Sequence, residues 1–258
     1  MIRLGAVSYL NVRPLVYGLE GNPLFSLRYD VPSVCATLLE DGAIDLGMIP
    51  SIEALRGRYR LVPDLGIISD GAVASVALFT KVPLDRIRRL GLDTSSRTSA
   101  GLTRILCREK WRIDPEFAAV APDAAARLDG CDAALLIGDP ALFLDHDARG
   151  FQKIDLGAEW TSMTGLPFVW AAWAGRDGAV GAREITALQA ARDAGIAHTG
   201  EIADDYCGPD RSALGRRYLR ENMRYRLGPR EAEGLQRYYD LAARHGVVEH
   251  SGSVRFFS

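Results

Sequence analysis

The chain of 258 residues predicts an α/β protein of two lobes. Two observations carry this. The first is an internal echo. RLGAVSYLNVRPL (3–15) returns as RLGLDTSSRTSAGL (89–102), each an apolar strand, a polar loop and a helix start. GAIDLGMIPSIEAL (42–55) returns as GCDAALLIGDPALFL (130–144), each a glycine, an apolar strand, a proline-containing turn and a helix start. The second observation is a pair of β-rich runs outside the echo, 73–90 and 164–175, which suit strands crossing between lobes. The expected division is 1–75 with 173–258 in one lobe and 76–172 in the other, with the two crossing strands as the hinge.

The elements follow in order. Strand text over 3–7 ends on Ser8-Tyr9-Leu10-Asn11, ahead of Pro14. The run VASVALFTKVPLDRIRRL (73–90) is β-rich up to Pro83 and then helix-like. TGLPFVWAAWAG (164–175) is bounded by Gly165-Leu166-Pro167 and Gly175. Beyond it, helical spacing of apolar residues marks 182–198, and further helical text fills 208–227 and 228–248. Gly228-Pro229 is a break, with Pro229 suited to a first helical turn. These helices have no echo, and the expectation is that they pack on the first lobe. The tail 249–258 is expected as a short strand or a docked arm.

Composition narrows the function classes. Hydrophobic residues make up 48% and charged residues 25%, an ordinary globular balance. A net charge of −2 argues against non-specific nucleic-acid binding. Cys35, Cys107, Cys131 and Cys207 are far apart and form no CxxC pair, so no metal is expected. Cys35 and Cys107 stand in apolar helical text and suit reduced core thiols. No apolar run approaches the ~20 residues of a membrane span. No basic segment followed by a long apolar stretch opens the chain, so the expected compartment is the cytoplasm.

The densest chemistry is in DTSSRTSAGL (93–102). Thr94, Ser95, Ser96, Arg97, Thr98 and Ser99 place five hydroxyls and a guanidinium at a predicted helix start. One cap needs one hydroxyl. The surplus points to a carboxylate or phosphate held by hydroxyls and free N–H groups, with Arg97 as a bidentate partner. The spaced glycines and lysine of a Walker loop are missing, which argues against nucleotide. Ser8 and Tyr9 can line the first loop. Asn11 is either a helix cap or a donor and acceptor facing a cleft. Ser51 has the same two readings. Gly138-Asp139 precedes Pro140, and Asp139 is either an N-cap or an acid in the cleft. Ser75, on the first crossing run, can point into it. The histidines (His146, His198, His245 and His250) stand in no loop of the echo, and no GxSxG or HExxH motif occurs. From these residues alone the reading is a binding protein for a small anion.

GAVSYLNVRPLVYGL, IPSIEAL, SVALFTKVPL, DTSSRTS, LLIGDPAL and DLGAEWTSMTGLPFVWAAW, in this order, resemble the menaquinone-biosynthesis family of the futalosine route. Within it they resemble the chorismate dehydratase branch. The dihydroxynaphthoate synthase branch carries a Ser-Pro-Cys-Pro-Asn-Asp type loop where this chain has Val7-Ser8-Tyr9-Leu10-Asn11. The resemblance runs from about Gly5 to Trp173. It implies a type II periplasmic-binding-protein-like fold. It also implies dehydration of chorismate to 3-(1-carboxyvinyloxy)benzoate, without metal or redox cofactor. The matching motifs place the family's asparagine at Asn11, and Asn11 and Ser75 are the residues expected to orient the hydroxyl and the reacting face in catalysis. Substrate binding falls to Ser8, Tyr9, Ser51, the 94–99 run, Gly138 and Asp139. A non-catalytic binding protein for a small carboxylate or oxyanion is the alternative on the same fold.

Overall fold

The computed structural model describes residues 1–93, 95–121, 128 and 130–258. Its first strands are β1 (Ile2–Val7), β2 (Phe25–Asp30), β3 (Leu46–Pro50), β4 (Arg60–Leu61) and β5 (Ile67–Ser69). A 3-10 turn (Leu10–Val16), α1 (Pro32–Glu40) and α2 (Ser51–Arg56) follow β1, β2 and β3. Next come β6 (Val76–Thr80), β7 (Arg89–Asp93), α3 (Arg97–Leu106) and β8 (Glu116–Val120). They are followed by β9 (Ala133–Ile137), α4 (Gly138–Leu142), β10 (Gln152–Asp155) and α5 (Leu156–Thr164). After β11 (Phe168–Gly175) come α6 (Ala182–Ala197), α7 (Thr199–Cys207), α8 (Ser212–Arg217), a π-type turn (Tyr218–Asn222) and α9 (Pro229–Arg244).

The strands form two sheets, ordered β2-β1-β3-β11-β4, with β5 also on β11, and β10-β6-β9-β7-β8. The echo is a structural repeat. β1 lies parallel between β2 and β3, and β7 lies parallel between β8 and β9. Each parallel trio then takes an antiparallel neighbour, β11 on β3 and β6 on β9. Helices cover both faces, so β3, β6 and β9 are buried along their whole length and read as continuous apolar text.

The crossings differ in detail from the expectation. β6 pairs only within the second sheet and β11 only within the first. The connections 70–75 and 156–167 therefore carry the chain across, and the strands do not. Residues 168–172, expected in the second lobe, pair with the first sheet: Phe168 faces Ser69 and Ala172 faces Ile49. The reason is local. Gly165 ends α5 in the left-handed region (φ 74°), and the apolar run then proceeds as one strand between β3 and β5.

The C-terminal helices also do more than cover the first sheet. Gly195 of α6 lies against Pro14, where a Cβ would come within 2.1 Å of the Pro14 carbonyl oxygen. α9 starts at Pro229, with the Glu231 carboxylate accepting from the Gly228 N–H at 3.0 Å. It reaches both sheets' loops. The Tyr239 hydroxyl donates to the Ser51 carbonyl (2.8 Å) and the Tyr238 hydroxyl to the Thr98 carbonyl (2.9 Å). The tail docks beside β4: the Leu61 N–H donates to the Arg255 carbonyl and the Phe257 N–H to the Leu61 carbonyl. All four cysteines are free thiols, and burial pushes Cys35 and Cys107 up to about 12. Among the described residues no helix is long and apolar enough to cross a membrane.

Candidate active site

The loops after β1, β3, β7 and β9 meet where strand ends of the two sheets face each other, the usual ligand position in open α/β sheets. Between them is a cavity of about 60 Å³. Its walls include Met48, Ile67, Ile137 and Trp170, and its polar atoms come from Tyr9, Asn11, Ser96, Thr98 and Ser99. Among the described residues, no charged side chain lines it. A wider groove of about 980 Å³ runs between α2 and the tail, apart from these loops.

The first loop is joined to the fourth. The Tyr9 ring packs on the backbone of Gly138, where a Cβ would sit 2.7 Å from the ring. Gly138 also has φ +63°, so glycine is required there twice over. The Leu10 N–H donates to Asp139 Oδ1 at 3.2 Å. The Tyr206 hydroxyl donates to Asp139 Oδ2 and lies 3.0 Å from the Ser8 carbonyl oxygen. Asp139 is therefore a bridge between the loops and makes no cap bond in its own helix. Burial raises the Asp139 carboxyl above its ordinary value, against the opposing pull of Tyr206 and the Leu10 N–H.

Asn11 is not a cap either, since Tyr9 holds the cap position of the turn. Its side chain lines the cavity, and its amide favours the ionised form of the buried Tyr218 hydroxyl against the opposing effect of burial. The same hydroxyl lies 2.6 Å from Ser75 Oγ. Ser75 is 1% exposed and stands behind the cavity wall. It is delivered by a tight turn in which the Ser75 N–H donates to the Val73 carbonyl (2.8 Å), with Ala74 at φ +63°. For alanine this left-handed backbone costs roughly 1–2 kcal/mol. Asp155 holds the turn by accepting from the N–H groups of Val73 (3.0 Å) and Ala74 (2.6 Å), and Lys153 Nζ donates to the Ala74 carbonyl (2.7 Å).

The hydroxyl run divides its labour. Asp93 Oδ1 accepts from both the N–H (2.9 Å) and the Oγ (2.7 Å) of Ser95. Thr98 Oγ1 accepts from the Ile52 N–H at 3.2 Å and lies 3.4 Å from Ser51 Oγ. Thr98 thereby caps α2 from the other sheet's helix, because Pro50, the residue at that cap position, has no side-chain oxygen. Ser96 and Ser99 face the cavity at the first turn of α3. Arg97, read from sequence as an anion contact, instead pairs with Glu53 at 2.8 Å, and Glu53 also pairs with Arg56. A carboxylate that is only 10% exposed draws the guanidinium away from the cavity. Thr94 lies outside the described residues. Sequence reasoning missed Tyr218, Glu53 and Asp155. Tyr218 lies in no quoted motif, Asp155 opens the DLGAEWTSMTG stretch without a mark of its role, and Glu53 reads as an ordinary first-turn acid.

Two matched α/β units meeting at one cleft define the class, the periplasmic-binding-protein fold. A structure from Candida albicans described as having the generic periplasmic binding protein fold superimposes with a TM-score of 0.67 at 14% identity, covering 98% of this chain and 92% of that one. An Archaeoglobus fulgidus protein gives 0.77 at 17% identity, covering 96% and 98%. The periplasmic aliphatic sulphonate binding protein of Escherichia coli gives 0.68 at 17%, covering 100% and 92%. Within that class, the sequence profile of the menaquinone biosynthesis family matches residues 2–244, and the chain belongs to this family. A chorismate dehydratase from Thermus thermophilus is 31% identical over 221 residues, 78% of this chain and 80% of that protein. One from Campylobacter jejuni is 30% identical over 174 residues, 65% and 64% of the two chains.

Proposed function

We propose that the protein is a carbon–oxygen lyase that removes water from chorismate to give 3-(1-carboxyvinyloxy)benzoate. In this reading it acts in the cytoplasm, in the futalosine route of menaquinone biosynthesis, and its two lobes divide with the two sheets. The observation that carries the reading is the cavity itself. It offers hydroxyls, an amide and a helix N-terminus and, among the described residues, no charged side chain, in a chain related to named chorismate dehydratases.

The chemistry suits such a site. The hydrogen to be lost lies on the ring carbon that bears the enolpyruvyl ether, vinylogous to the ring carboxylate. Its electron pair moves into the ring toward that carboxylate. The adjacent C–O bond then breaks, hydroxide leaves as water once it takes up the proton, and the ring becomes aromatic. Ser96, Ser99 and the first N–H groups of α3 can hold one carboxylate of the dianion. The Asn11 amide can steady the departing hydroxyl and a carboxylate oxygen together. Among the described residues the cavity wall carries no carboxylate, imidazole or amine, and in this reading the substrate's own enolpyruvyl carboxylate, held against the ring hydrogen, serves as the proton acceptor.

The test is to incubate the purified protein with chorismate and follow the aromatic product by chromatography and proton NMR. Stoichiometric appearance of the benzoate is the expected result. Tight binding without turnover would favour a non-catalytic receptor for small carboxylates.

A further inference from the structure

We infer that Tyr218 is the positioning residue of this site, the buried phenol that fixes the orientations of Asn11 and Ser75 together. The inference rests on the dehydratase reading and adds a residue from a part of the chain outside the echo. Three unusual local features converge on this hydroxyl. Tyr218 is 2% exposed and opens a π-type turn, a geometry found often at functional sites. Ser75, at 2.6 Å, is presented by the left-handed Ala74. Asn11, the amide on the cavity wall, acts on the same oxygen, favouring its ionised form.

The turn grips the 70–75 connection a second time. Asn222 Nδ2 donates to the Ala72 carbonyl at 2.9 Å. The segment linking the two sheets is therefore pinned from the C-terminal helices at both Ala72 and Ser75.

The donor arithmetic gives the phenol a definite task. Burial raises its proton affinity well above the ordinary value, so it stays neutral. A neutral phenol has one proton to give and can accept in return. Either hydroxyl of the Ser75–Tyr218 pair can donate; in the arrangement proposed here Tyr218 donates to Ser75 Oγ, and its oxygen is left to accept from the Asn11 NH₂ group. That choice settles which way round the amide stands. The Asn11 carbonyl oxygen and one N–H remain for the cavity. Without the phenolic oxygen, the amide is free to flip and to change rotamer.

The decisive variant is Tyr218→Phe, which keeps the ring and removes the hydroxyl. Turnover of chorismate should fall by about 10-fold or more in kcat, with KM changed by less than about 3-fold, the signature of lost alignment. Tyr225→Phe serves as the comparison. Tyr225 is also buried on the chain just beyond, and its hydroxyl has no hydrogen-bond partner among the described residues, so kcat should stay at the wild-type value. A double-mutant cycle separates positioning from structural damage. In an Asn11→Ala background, adding Tyr218→Phe should change kcat by less than about twofold, because the phenol then has no amide left to orient. If the single Phe variant does not fold, Tyr218→Phe combined with Ser75→Ala removes both hydroxyls of the 2.6 Å contact, and kcat should fall below that of Ser75→Ala alone. Wild-type kcat in folded Tyr218→Phe, or losses that multiply in the double variant with Asn11→Ala, would overturn the inference and leave the dehydratase reading standing. Failure of the wild-type protein to convert chorismate would overturn both.

Discussion

Asn11 and Asp139 each occupy a helix start and neither caps its own helix, because each side chain is drawn to a partner in another element. Asn11→Ala should therefore leave the fold intact and lower kcat roughly 10²-fold, the scale of losing one preorganised donor. Steady-state turnover beside a thermal melt checks this, and an early melt with normal turnover would return Asn11 to a structural role. Asp139 gives a pH signature. Its carboxyl is raised in the fold, so its contribution to stability is fully present below the ordinary value of 3.8 and is lost as pH rises through the folded value. Asp139→Asn should flatten that part of the profile, so the gap in melting temperature between variant and wild type changes across pH 3–7. A constant gap would show that Asp139 does not titrate there. The types of these residues were legible in the sequence, but their partners were not. Arg97 shows why. The text places a guanidinium beside hydroxyls, and only the folded chain brings Glu53, on another sheet's helix, within 2.8 Å.

At the scale of elements, the hydroxyl-rich start of α3 combines two jobs that single substitutions can separate. Ser96→Ala should weaken substrate binding by about 0.5–1.5 kcal/mol, the worth of one neutral hydrogen bond, with little change in melting. Thr98→Val should do the reverse, costing about 1 kcal/mol of stability through the lost cap on α2. Calorimetric titration with the benzoate product and thermal melts of both variants check the pair, and equal effects of the two on affinity would refute the division. The repeated strand-loop-helix units were readable because a parallel strand buried on both faces leaves unbroken apolar text. The sheet membership of β11 was less readable. An apolar run has the same composition whichever sheet receives it, and what decides is a turn at Gly165 and the pairing of Ala172 with Ile49. The reach of α9 to both sheets' loops was likewise hidden, since it depends on two adjacent tyrosines finding carbonyls at Ser51 and Thr98.

For the molecule as a whole, the cavity of about 60 Å³ is narrow for a ring bearing two carboxylates. Pockets for small molecules run to roughly 300–1,000 Å³, and the expected outcome is that the sheets stand further apart when the substrate enters. Small-angle scattering should show a smaller radius of gyration with product bound than without it, and identical curves would argue for a rigid cleft. The interleaved order of the sheets has a further consequence, for the protein while it is being made. The strands of the second sheet are all synthesised by residue 155, whereas the first sheet waits for β11 at 168–175, although its own β1 emerged first. At about 5–20 residues per second, β3 spends several seconds outside the ribosome with one edge uncovered. The half of the protein encoded in the middle can therefore finish folding before the half that was started earlier, and the nascent chain meets chaperones with its N-terminal sheet still open.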